Sequence, residues 1–232
     1  MTLSRRAFTF CAILLFTSTV FAAEPAPYLS ANQLDLTVIL PPPPPAGSVL
    51  EKSEMAAVIA VQKNASPERI KLAYEDADET VFAMFTRTLG NKFAPANLPK
   101  ATTFFTRALT SEDAVTDPAK TFFGRVRPFM ANSEIKALIK PSASGSWPSG
   151  HTTRVTLGAI ILAAMLPERK NAIWARADEY AESRMVGGMH YPSDLDAGRR
   201  AGTAMAAVMF TDPGFRADYE TAKTEVRGAL GF

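Results

Sequence analysis

Cysteine is almost missing from this 232-residue chain, which has only Cys11. A disulfide framework is thereby excluded, and the expected loss of Cys11 with an N-terminal signal excludes thiolate chemistry as well. Long apolar runs are missing too. The longest, Ala7 to Phe21, is too short to span a bilayer. No segment alternates apolar and polar residues as a half-buried strand would, so the expected fold class is all-α. Charge of one sign is also scarce, with 25 Lys and Arg against 23 Asp and Glu. A chain so nearly neutral lacks the basic stripe that nucleic acid or an anionic membrane surface selects. Histidine occurs twice, at His151 and His190.

The first 22 residues have the layout of a secretory signal: Arg5 and Arg6, the apolar run, then small residues with cleavage expected after Ala22. "SRRAFTF" also resembles a twin-arginine export signal, although Thr9 and Phe10 stand where Leu and Lys are usual. Either route ends in the periplasm or outside the cell. Cleavage removes Cys11, Arg5 and Arg6 and leaves 23 basic residues against 23 acidic ones. The remaining chain of roughly 210 residues can bury a full core as one domain.

Residues 23–50 are linker-like. "LPPPPPAGS" is expected as extended polyproline forming a strap across the surface, because consecutive prolines fix φ and remove amide donors. Residues 51–232 read as one helical domain. A helix opens with Ser66 as cap and Pro67 at its first position, and continues with Ile70, Tyr74, Ala77, Val81 and Met84 at helical spacing. Its acidic residues Glu75, Asp76, Asp78 and Glu79 read as a solvated face. Further helices are expected near 100–110, 113–125, 133–139, 151–166, 170–186, 194–210 and 213–229. "LGAIILAAML" (157–166) is apolar on every side, as a central core helix would be.

Chemistry concentrates in three stretches. In "AKTFFGRVRP", Lys120 and Arg127 are two helical turns apart and would share a face, with Pro128 ending the helix. "GSWPSGHTTRV" sets Ser149, Gly150 and His151 at a helix start, where unpaired N–H groups and the dipole favour an anion. In the third, Arg184 falls about 20° from Ile173 on a helix and so shares its apolar stripe with Ala177 and Ala181. A guanidinium on such a stripe needs an anion, because unpaired buried charge is costly. Gly187 and Gly188 break that helix and deliver His190 into a turn. Ser193, with Asp196 three residues on, is expected to cap the next helix. Asp194 either serves the helix dipole or accepts a hydrogen bond from His190. Neither histidine lies on an apolar helix face. Two histidines, two helix mouths and three cations suit a tetrahedral dianion, with one ring attacking phosphorus and the other protonating the leaving group.

Lys120-x6-Arg127-Pro128, Pro148-Ser149-Gly150-His151 and Ser183-Arg184-x5-His190-x3-Asp194 together resemble the three-part signature of the type 2 phosphatidic acid phosphatase superfamily. "GSWPSGHT", the polyproline strap, the "YEDAD" helix and "SDLDAGR" are similar to those of bacterial class A non-specific acid phosphatases, with Trp147 where that class usually has Tyr. The resemblance implies a secreted, broad-range phosphomonoesterase, with transfer to an alcohol as a side activity. It implies His190 as nucleophile, Asp194 as the residue holding its ring, and His151 as acid and then base. Lys120, Arg127, Ser149, Gly150 and Arg184 would bind the phosphate. It implies no metal and no cofactor, small phosphomonoesters as the partners, and no membrane association once the signal is gone. A homo-oligomer is compatible with it. The superfamily also includes vanadium haloperoxidases, which would bond vanadate at His190 but are usually much longer chains. A secreted phosphate-binding helical protein is the non-catalytic alternative, and it would need the cations but not both histidines.

Overall fold

The computed structural model describes residues 26–232, and among them there is no strand. The signal expected over 1–22 lies outside these residues. The all-α expectation holds. Helices α1 (Leu36–Ile39), α2 (Val49–Asn64), α3 (Pro67–Glu75), α4 (Val81–Leu89), α5 (Pro99–Phe123), α6 (Pro128–Ala131), α7 (Gly150–Met165), α8 (Lys170–Val186), α9 (Pro192–Met209) and α10 (Pro213–Leu230) follow one another in chain order.

Helix α7 is the central element, as its all-round apolar composition requires. Leu157, Ile161, Leu162 and Met165 have no solvent exposure. It packs against α5, α8 and α9. The α7–α9 contact is a seam of small residues. A Cβ on Gly198 would sit 2.7 Å from the Ser149 carbonyl oxygen, and one on Gly202 would sit 2.6 Å from that of Thr153. Only glycine lets these backbones approach so closely.

Several expectations are corrected. The stretch from Ser66 is two helices, not one. α3 ends at Glu75, and Thr80 caps α4 by accepting the Ala83 N–H. The bend between them turns Asp76 inward, where it is buried against Arg176 and Ser183. The acidic cluster is therefore not one solvated face. The helices expected at 100–110 and 113–125 are a single α5. Thr110 and Ser111 hydroxyls bond back to the carbonyls of Thr106 (2.8 Å) and Arg107 (2.9 Å), so these polar residues continue the helix.

Residues 133–139 are not helical. Their backbone is claimed by other elements instead. Gln62 accepts the Lys136 N–H at 3.0 Å and donates to the Lys136 carbonyl at 2.7 Å, while Leu138 donates to the Gly187 carbonyl. The N-terminal strap is more than a surface element. Tyr28, Leu29, Leu34, Leu36 and Leu40 are buried in the main core. The Tyr28 hydroxyl donates to Asp218 at 2.6 Å, and the Arg107 guanidinium lies 3.9 Å over its ring.

Candidate active site

The starts of α7 and α9 and the ends of α5 and α8 meet around one cleft of about 270 Å³. Helix starts bring partial positive charge and free N–H groups to that cleft. Lys120, Arg127, Gly150, His151, Arg184 and His190 all line it. Six of the eight residues singled out in the sequence are thus brought together, and Ser149 and Asp194 lie buried behind them.

Lys120 is in the last turn of α5, with Nζ 3.3 Å from Asp117 Oδ1 and 3.9 Å from Glu112 Oε1. The helix stops at Phe123, so Arg127 does not share a helical face with Lys120 as the spacing suggested. It sits in extended backbone before α6, and its guanidinium donates to the carbonyls of Ser144 (2.9 Å), Gly145 (3.1 Å) and Met189 (3.1 Å). Burial, and then the neighbouring Arg184 charge, lower its pKa to about 10. Arg184 is 4 % exposed on the stripe with Ile173, Ala177 and Ala181, as the helix geometry requires. Its Nε and Nη1 have no hydrogen-bond partner among the described residues, and burial lowers its pKa. Each such N–H costs about 1–3 kcal/mol while unpaired, so an anion in the cleft would be a favourable partner for this side chain.

The ring of His190 has a defined tautomer. Nδ1 lies 2.9 Å from the Ser146 carbonyl, which can only accept, and Nε2 lies 3.0 Å from Arg127 Nη1, which can only donate. Nδ1 therefore carries the proton and Nε2 carries the lone pair. Burial, followed by Arg127, Arg184, His151 and Lys120, holds the ring well below its ordinary pKa. Asp194 Oδ2 is farther from Nδ1, at 3.4 Å. That carboxylate accepts the Tyr191 N–H at 2.8 Å and the Arg125 guanidinium at 2.6 Å. Burial nevertheless pushes it up to about 7. Tyr191 and Asp194 form the capping box of α9, so the Ser193–Asp196 box read from the sequence is displaced by two residues.

Ser149 caps α7, and its Oγ accepts from the Thr152 hydroxyl at 2.9 Å. Gly150 leaves room for two side chains: a Cβ there would meet Glu112 Oε1 at 2.7 Å and Lys120 Nζ at 3.0 Å. Gly150→Ala is therefore expected to displace Lys120 and lower kcat/KM roughly tenfold or more, checked by steady-state kinetics alongside circular dichroism. His151 follows, with Nδ1 2.7 Å from Glu79 Oε1 and Nε2 3.4 Å from the Ala77 carbonyl. Burial and Arg184 lower its pKa, and Glu79 opposes them.

Sequence reasoning missed four residues. Glu112 is buried between Lys120, Arg154 and Thr116, and burial raises its pKa. Arg125 ties Asp194 to Glu54, at 2.6 and 2.7 Å. Glu79 holds His151. The one local signal was the Arg125-x-Arg127 pair following a glycine.

Residues 101–218 match the PAP2 superfamily, about half the chain. The chain belongs to the PAP2 superfamily. This PAP2 protein is 31% identical over 235 residues to a non-specific acid phosphatase of Providencia stuartii, covering 93% of this chain and 95% of that one. It is 33% identical over 168 residues to one from Salmonella typhimurium, covering 68% and 66%. An acid phosphatase of Zymomonas mobilis is 31% identical over 202 residues, covering 84% and 76%. Among solved structures, a bacterial vanadium-dependent iodoperoxidase superposes with a TM-score of 0.58 at 20% identity, covering 76% of this chain and 53% of that one, a likeness of fold alone.

Proposed function

We propose that this PAP2 protein is an exported acid phosphatase that hydrolyses phosphomonoesters through a phosphohistidine on His190. The observation that carries the reading is the pairing of a neutral, oriented imidazole with the unpartnered, buried guanidinium of Arg184 in one cleft. The relatives named acid phosphatase support it.

The phosphate dianion enters among Lys120, Arg127 and Arg184 and draws the Arg127 guanidinium from His190 Nε2. That lone pair then forms the N–P bond as the ester P–O bond breaks, and His151 gives its proton to the leaving oxygen. Water next attacks phosphorus and returns a proton to His151, the P–N bond breaks, and phosphate leaves. Positioning and charge neutralisation supply most of the rate enhancement for such a transfer. The three cations meet that need without a metal, and an alcohol in place of water would give transfer instead of hydrolysis.

Hydrolysis of p-nitrophenyl phosphate, unchanged by a chelator, is the direct test; no turnover would overturn the reading. The pH dependence follows from the two rings. His190 has to be neutral, and its lowered pKa keeps it so in acid. His151 has to be protonated, and its pKa also lies below the ordinary value of ~6.5. kcat/KM is expected to trace a bell on the acid side of neutrality, falling at high pH as His151 loses its proton. His151→Ala should flatten the alkaline limb and cost alkyl phosphates about 10²-fold, with a much smaller loss for p-nitrophenyl phosphate, whose leaving group departs unprotonated. An alkaline optimum, or equal losses for both substrates, would remove His151 from the acid role.

A further inference from the structure

We infer that Glu79 is a positioning residue for the leaving-group side of the reaction, orienting His151 through Nδ1 and supplying the negative charge that its protonated ring needs. The inference rests on the phosphohistidine reading above and adds a residue outside the three motif blocks.

Both carboxylate oxygens of Glu79 are fixed. Oε1 is 2.7 Å from His151 Nδ1, and Oε2 is 3.3 Å from Arg154 Nη1. Arg154 is itself held by Glu112 at 2.8 Å and Asp113 at 2.7 Å. The loop that carries Glu79 is fastened to α8, which also carries Arg184. Asp76 pairs with Arg176 and Ser183, and the Tyr180 hydroxyl donates to the Asp78 carbonyl at 2.9 Å. The Tyr180 ring stacks on the His151 ring, with centroids 6.2 Å apart. Glu79, His151 and the α8 helix that carries Arg184 thus belong to one packed unit.

The surroundings of His151 show why a carboxylate is needed. From α8 it faces Arg184 and the neutral phenol of Tyr180, and from its own helix Arg154. Lys120 and the carboxylates of Glu112, Asp113 and Asp117 face the cleft from α5, and His190 faces it from the α8–α9 turn. Glu112 and Asp113 are engaged by Arg154, and Lys120 is paired with Glu112 and Asp117. Among the described residues, Glu79 is the carboxylate in direct contact with the ring. Burial alone would raise its pKa, but the hydrogen bond and charge of His151, with Arg154 and Arg184, hold it at about 2. It therefore stays ionised across the acid range. With Nδ1–H given to Glu79, Nε2 is left to exchange the proton with the ester oxygen; among the described residues its hydrogen-bond neighbour is the Ala77 carbonyl at 3.4 Å.

The test compares wild type, Glu79→Gln, Arg154→Met and His151→Ala, and Glu79→Gln combined with His151→Ala. Glu79→Gln is expected to move the alkaline limb of kcat/KM to lower pH by roughly one unit, because an adjacent opposite charge is lost. It should also cost an alkyl phosphate about tenfold more than p-nitrophenyl phosphate. Arg154→Met removes a cation and should not move the limb downward. On the His151→Ala background, Glu79→Gln should add little further loss, since residues acting through one another are not additive. With two histidines in the chain, the ring of His151 can also be titrated by NMR with phosphate bound, and its pKa should fall in Glu79→Gln. That reading holds for any folded variant, and Glu79→Asp should restore part of the shift.

A limb and a ring pKa unmoved by Glu79→Gln, or a full additive loss on the His151→Ala background, would overturn the inference. Absence of turnover in wild type, or of any leaving-group dependence in His151→Ala, would instead overturn the underlying reading and take the inference with it.

Discussion

Replacing His190 with alanine is expected to lower kcat/KM for p-nitrophenyl phosphate by roughly 10³-fold or more, since the covalent route disappears with the nucleophile. The ring's tautomer is set from both sides: the Ser146 carbonyl takes the Nδ1 proton, and Arg127 points a donor at the Nε2 lone pair. The remaining histidine gives its Nδ1 to Glu79 and is assigned the proton transfer instead. Acid-labile, base-stable phosphate should be trapped on the wild-type protein during turnover and be missing from His190→Ala. The variant should still bind inorganic phosphate or vanadate, because Lys120 and Arg184 remain. Trapping the same phosphoprotein with His190→Ala would move the nucleophile elsewhere.

Arg184→Met should separate activity from stability. The guanidinium is buried with Nε and Nη1 unpartnered among the described residues, so it costs the folded protein free energy in the absence of substrate. An apolar side chain of similar length removes that cost. The melting temperature is expected to hold or rise, while kcat/KM falls by about 10²–10³-fold with the loss of a preorganised donor to the transferring phosphoryl group. Lys120→Met should lose less activity, since an ammonium is a point charge where a guanidinium makes a two-pronged contact. It should lower stability modestly instead, because the buried Glu112 keeps Arg154 but loses the second of its two cations. Near-normal kcat/KM in Arg184→Met would make that residue structural.

The parts of this site that could be read in the sequence are those determined by local geometry. Arg184 is assigned to the cleft by its angle on α8 relative to Ile173, and His151 by the cap and glycine that start α7. The central position of α7 follows from a composition with no polar face. What could not be read came from pairings across the chain. Glu54 reaches Arg125, and Glu79 reaches His151, only because α2 and the α3–α4 loop are folded against the cleft. In one dimension Glu79 is one acidic residue among four. Residues 133–139 carry helix-compatible composition, but Gln62 and Gly187 satisfy their backbone groups from outside. Polyproline chemistry likewise describes residues 41–45 and says nothing of the leucines before them that enter the core.

The glycine seam between α7 and α9 bears on what the enzyme can accept. His151 rides at the start of one helix and His190 precedes the start of the other. Ser149 donates its N–H to the Asp194 carbonyl at 3.1 Å, while Gly198 lies against Ser149. The two imidazoles are thus rooted in one packed pair of helix starts, and their separation is expected to stay nearly constant from one ester to the next. Discrimination among alcohols is then left to the exposed residues at the mouth of the cleft, such as Ser142, because Glu79 and Ser146 in the flanking loops hold the two rings in place.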